Sequence, residues 1–162
     1  TEPCKNKYVS KINKITLNRL NNSEKARLRE VQNTVFNQKI ESNKELFGEF
    51  GKIMSQVDLY DPINLKQEII EFQPKIYKNI MKEAKKLRKS GKLLNLGRHI
   101  KCSVVAIHGD YAPHPYQGVK GPLSGIIEDF KFILLKNCGH KPWIEREARN
   151  EFYKIIEREL KK

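Results

Sequence analysis

The stretch Cys102-Ser103-Val104-Val105-Ala106-Ile107-His108-Gly109 decides how the chain is read. Residues 102–107 form a continuous β-branched apolar run closed by Gly109, the pattern of a strand covered on both faces. A loop rich in Pro and Gly follows over residues 110–121. Residues 122–130 then predict a short helix, 131–136 a second buried strand and 144–160 a long amphipathic helix. The order strand, loop, helix, strand, loop, helix is a βαβα unit, whose crossover sets the two strands parallel. Two parallel strands do not make an independent sheet, because both faces need cover and both edges need neighbours. One edge is therefore expected to stay open unless another segment or chain pairs with it.

The first hundred residues read as helical. Val9, Ile12, Ile15 and Leu20 keep a helical spacing, and Ser23 is the expected N-cap of a helix carrying Ala26, Leu28, Val31, Val35 and Phe36. A third helix is expected after Ser42-Asn43, with Leu46, Phe47, Phe50, Ile53 and Met54 on one side and Gly48 and Gly51 weakening it. Residues 58–62 read as a break. Helix is expected to resume at Asn64, to bend or restart at Pro74 and to end near Ser90-Gly91. The fold class is thus α/β, a helical region over residues 1–98 followed by the βαβα unit over 99–162.

A chain of 162 residues, with 38% hydrophobic and 31% charged residues, falls in the soluble globular range. At this length folding buries roughly 70% of the unfolded surface. No apolar run approaches the ~20 residues of a membrane-spanning helix. The first residues carry neither a Met nor an apolar leader, so the expectation is a trimmed, cytoplasmic protein with no membrane partner. Cys4, Cys102 and Cys138 are odd in number and far apart, which argues against a disulfide framework, and no CxxC pair suggests zinc. Cys102, placed in the first strand, is expected to be a buried and inert thiol.

The net charge of +13 is concentrated between residues 75 and 101, where ten Lys or Arg face a single acid, Glu83. Lys82, Lys85, Lys86, Arg88 and Lys89 interleave no aromatic stacking platform and match no nucleic-acid motif. The run reads first as a solvated helix face. The alternative is a non-catalytic basic module for an acidic partner or nucleic acid.

The chemistry-bearing residues cluster in two segments, Ile107-His108-Gly109-Asp110-Tyr111-Ala112-Pro113-His114-Pro115 and Cys138-Gly139-His140-Lys141-Pro142-Trp143. Together they resemble the α/β-hydrolase family, in which one strand ends in His-Gly and the last strand ends near Gly-His before a C-terminal helix. The resemblance covers most of the chain. It implies a cap domain over the helical region and the last two strands and helices of the hydrolase core after it. The nucleophile elbow Gly-x-Ser-x-Gly has no counterpart, and Ser124 in Pro122-Leu123-Ser124-Gly125 lacks the preceding glycine and strand.

The resemblance implies that His140 is the catalytic base, which takes a proton from the nucleophile and returns one to the leaving group. It also implies an acid three residues after Gly109, a position occupied by Ala112. Asp110 is the candidate to stand in for that acid. Trp143 and Tyr111 are candidate substrate-lining residues, or else packing residues for the C-terminal helix. Glu145, Arg146, Glu147, Arg149 and Glu151 read as solvent-side i,i+4 pairs. His108 and His114 lack a clear third ligand, so neither metal nor cofactor is expected. The function that follows is a hydrolase-like protein for a small ester, amide or other acyl substrate, inactive as this chain alone. Self-association, or a second chain, is expected at the open sheet edge.

Overall fold

The computed structural model describes residues 7–37, 44–63 and 73–161. Among them are seven α-helices and a two-stranded parallel sheet, a mixed α/β architecture that is mostly helical. Helices α1 (Lys7–Asn18), α2 (Asn22–Asn37) and α3 (Lys44–Asp58) form the first unit of packing. Leu20, Leu28, Ile53 and Val57 are buried between them, with Leu17, Phe50 and Met54 packed around. The guanidinium of Arg27 ties α2 to α3 by two bonds of 2.6 Å to the Glu49 carboxylate.

The cap of α2 is not Ser23. Asn21 Oδ1 accepts the Glu24 N–H at 2.9 Å, and Glu24 Oε2 accepts the Asn21 N–H at 2.8 Å. This reciprocal box satisfies two amides at once, which a lone Ser23 does not, so the helix begins at Asn22. The expected start at Asn64 and the Ser42-Asn43 boundary lie outside the described residues. Helix α4 (Pro74–Lys89) starts on its proline, where no amide donor is needed. It ends at Ser90, and Gly91 takes the left-handed φ of +73° that closes such ends. A short helix α5 (Lys92–Asn95) and a 3₁₀ turn (Leu96–His99) follow.

Strand β1 (Val104–Gly109) pairs in parallel with β2 (Phe130–Leu135), in a register that sets Val104 against Phe130 and Gly109 against Leu135. The first strand begins two residues later than its apolar run. Cys102 is consequently outside it and exposed, and the expectation of a buried thiol there is overturned. The strands are also less covered than a continuous apolar run implies, because Val104 to His108 are only half-buried. The Val104 and Asp110 amides donate to Asp129 and Leu135 in the direction of β2. By the alternation of a strand, Val105 and Ile107 turn their amides outward. Among the described residues no strand lies on that side.

Helix α6 (Gln117–Ser124) starts inside the loop expected before it. Pro122, read as a helix start, sits in its last turn, where the missing amide costs one bond of a helix that ends two residues later. The C-terminal helix is shorter than expected: a 3₁₀ turn (Pro142–Ile144) leads to α7 (Arg149–Leu160). Leu135, Cys138, Ala148 and Ile155 form a second buried cluster, lined by Ile107, Ile133 and Phe152.

The turn before α7 carries the largest departure from the sequence reading. Glu145 is fully buried, not solvent-side. Its Oε1 accepts the Tyr60 and Gly139 amides at 2.9 Å, and its Oε2 accepts the Asp61 amide at 2.8 Å. The backbone reinforces this, with Ile63 N donating to Ile144 O at 2.8 Å and Arg146 N to Asp61 O at 2.9 Å. One carboxylate thus joins the end of α3 to the loop after β2. We expect Glu145→Ala to destabilise the fold by about 3 kcal/mol, because each orphaned amide costs about 1–3 kcal/mol and two of the three can partly recruit water. Glu145→Gln should fall between. Urea denaturation measures both, and a loss below about 1 kcal/mol for the alanine variant, the range of ordinary surface changes, would show the clamp to be dispensable.

Candidate functional site

The two strand ends and the loops leaving them bring three imidazoles to one rim. His108 is the penultimate residue of β1, His114 lies in the loop after it, and His140 lies in the loop after β2. The His114 and His140 rings are 5.6 Å apart between centroids, tilted by 41°. Two glycines allow the loops to close. A Cβ on Gly109 would sit 2.1 Å from the Cys138 carbonyl oxygen, and one on Gly139 would sit 2.2 Å from that of Asp58. A side chain at Gly109 would push the strand ends apart, and one at Gly139 would push the loop after β2 away from the end of α3. The loops are then stitched by Asp110 N to Leu135 O and Tyr111 N to Cys138 O, each 2.9 Å.

His140 is exposed, and its backbone amide donates to the Asp58 carbonyl at 2.6 Å. The Asp58 carboxyl is pushed up by burial, against the pull of the nearby His140, Lys141 and Arg19 charges. Arg19 reaches into the same corner. Its guanidinium lies 3.6 Å from the Tyr111 ring centroid and donates to the carbonyls of Val57 at 2.8 Å and Tyr111 at 2.5 Å. Burial lowers its pKa. Tyr111 also meets Tyr60 edge-on at 5.1 Å. Asp58 and Arg19 went unnoticed in the sequence, where residues 58–62 read only as a break and Arg19 as one of many surface cations.

The other expected site residues are placed as follows. Asp110 Oδ1 accepts the Cys138 amide at 3.4 Å, and its Oδ2 lies 3.8 Å from Lys136 Nζ. Ala112 is buried, and its amide turns back to the Gly109 carbonyl at 3.3 Å. Trp143 is exposed, with its ring 6.2 Å from that of Phe152 on α7. Ser124 Oγ donates to the Gly121 carbonyl within its own helix. The Cys138 thiol is buried and pushed up to about 12, by burial first and then by the Glu145 and Asp110 charges. A thiol held so far from ionisation is no nucleophile at neutral pH. Among the described residues no group of three His, Cys, Asp or Glu is arranged to hold a metal ion.

No protein-family model matches the chain, and no curated protein or solved structure matches it. The chemistry of the rim therefore rests on its own geometry. It offers an exposed imidazole, a nearby partly buried carboxyl and two further imidazoles kept neutral.

Burial pulls the His114 imidazole down to about 4, with the His140 and His108 charges adding to the effect, and burial likewise lowers His108. His114 Nδ1 is buried without a hydrogen-bond partner, so a proton placed there would meet no acceptor. The unfolded chain takes up a proton near the ordinary value of 6.5, whereas the folded chain resists until about 4. Stability should therefore fall as the pH drops through that interval, with His108 acting in the same direction. His114→Phe should flatten the slope. Denaturation midpoints at pH 7 and pH 5 that differ equally for parent and variant would refute this assignment.

Proposed function

We propose that the chain is an α/β-hydrolase-like protein acting on a small ester, amide or other acyl substrate. In this reading residues 1–98 are its cap-like region and residues 99–162 the last part of its core. The observation that carries it is the joint position of residues 112 and 140. His140 stands one residue past Gly139 on the loop leaving β2, while Ala112 folds back onto Gly109 at the neighbouring strand end. These are the places where a general base and its orienting acid would meet.

His140 would accept the proton of a hydroxyl nucleophile and pass one to the leaving group. Ala112 cannot orient the ring, and Asp110 faces the Cys138 amide and Lys136. Among the described residues no hydroxyl or thiol hydrogen-bonds to the His140 ring. The chain alone should therefore hydrolyse p-nitrophenyl acetate no faster than its His140→Ala variant. Turnover that His140→Ala abolishes would contradict this. When the chain is joined to a portion carrying a serine nucleophile, Ala112→Asp should raise kcat, by up to about 10⁴-fold if the acid is the missing element. An unchanged rate would remove residue 112 from the site.

The outward amides of Val105 and Ile107 support pairing of β1 with a further strand, from a second copy or another chain. Sedimentation equilibrium should then show self-association rising with concentration, reduced by Ile107→Pro, which removes an outward donor. A folded monomer throughout the micromolar range would exclude pairing with a second copy. The exposed lysines of α4 favour a second reading, a basic module for an acidic partner. Nucleic acid fits it less well, because no aromatic platform interleaves the charges.

A further inference from the structure

Helix α4 carries two faces of opposite character, and both present exposed side chains. Ile76, Tyr77, Ile80 and Met81 are 57%, 39%, 60% and 40% exposed. At about 100° per residue they span an arc of about 140° on one side. Lys82, Lys85, Lys86 and Lys89 are exposed on the other. The only acid of the helix, Glu83, lies 3.5 Å from Lys86 and offsets one charge. The apolar residues near the end of the helix, Ala84 and Leu87, are partly covered where α5 packs against it, whereas Ile76, Ile80 and Met81 are exposed.

We propose that α4 lies on an anionic lipid surface, with Ile76, Ile80 and Met81 at the level of the acyl chains and its lysines drawn to acidic headgroups. Charge complementarity decides the occupant. A nucleic acid would pair with the lysines and leave the apolar arc in water. A bilayer takes up both, and needs no shaped groove to do so. A strongly basic polar face, a separate apolar face and low overall hydrophobicity are the marks of a helix that lies in an interface without spanning it. The sequence expectation of no membrane partner came from the lack of a spanning segment, which a surface helix does not need. The inference extends the reading of a basic module and stands independently of any role for His140.

Cosedimentation of the full chain with phosphatidylserine/phosphatidylcholine vesicles, and with phosphatidylcholine alone, tests it. Binding is expected to the anionic vesicles and to weaken with salt. Ile80→Asp should lower the partition coefficient about tenfold, through loss of apolar burial. Lys85→Gln should lower it about fivefold, as one basic charge near a surface does. Both positions are exposed, so circular dichroism should show the fold intact, and Ile76→Asp provides a second apolar probe. No binding to anionic vesicles overturns the proposal. So does binding that both aspartate variants leave unchanged, which would mean charge attraction without insertion of α4. Self-association that both variants abolish, in a chain indifferent to vesicles, would assign the face to a second copy.

Discussion

The Glu145 carboxylate is the interaction on which the rest of the structure depends. It accepts three backbone amides from two loops 85 and 6 residues away in the chain, and it does so with no exposed surface. A carboxylate taken out of water is costly unless its lone pairs are filled. Three amides fill them, and the amides in turn lose an acceptor if the side chain is shortened. The three-helix packing around Leu28 and Val57 and the sheet cluster around Leu135 and Ile155 are separate apolar cores. The clamp, with Arg19 bridging Val57 and Tyr111, is what fixes one against the other.

That linkage shapes the rim. Because Gly139 has no side chain, the Asp58 carbonyl can approach the loop and take the His140 amide, so the imidazole is placed from the helical side as much as from the strand. The Asp58 carboxyl and the Arg19 guanidinium come with it. His114, by contrast, is held where protonation is penalised. The rim thus combines one solvent-facing imidazole with two that burial holds neutral.

The two strands were legible in the apolar runs around Val104 and Ile133 to within two residues, as was their parallel order. So were the three N-terminal helices and the Pro74 and Ser90-Gly91 boundaries of α4. The helix between the strands, by contrast, begins five residues earlier than its pattern implied. Helix ends were read less well wherever a polar side chain chose between equivalent caps, as Asn21 did over Ser23, because the choice depends on a glutamate three residues on. The places of His108 and His140 at the strand ends were legible, but the approach of His114 to His140 was not, because it depends on how the loop after β1 folds back. Glu145 was misread because a single acid in a charged segment looks the same whether it faces water or three amides. Asp58 and Arg19 were invisible for a related reason, since their partners lie far away in the chain.

Local pattern by itself determined which segments became helix or strand and how charge was distributed along α4, since periodicity and backbone sterics act over a few residues. Only the tertiary structure decided which acid is buried, which carboxyl lies near His140, and which apolar residues of α4 stay exposed. Those outcomes turn on desolvation and on hydrogen bonds between segments that meet only after the chain has folded.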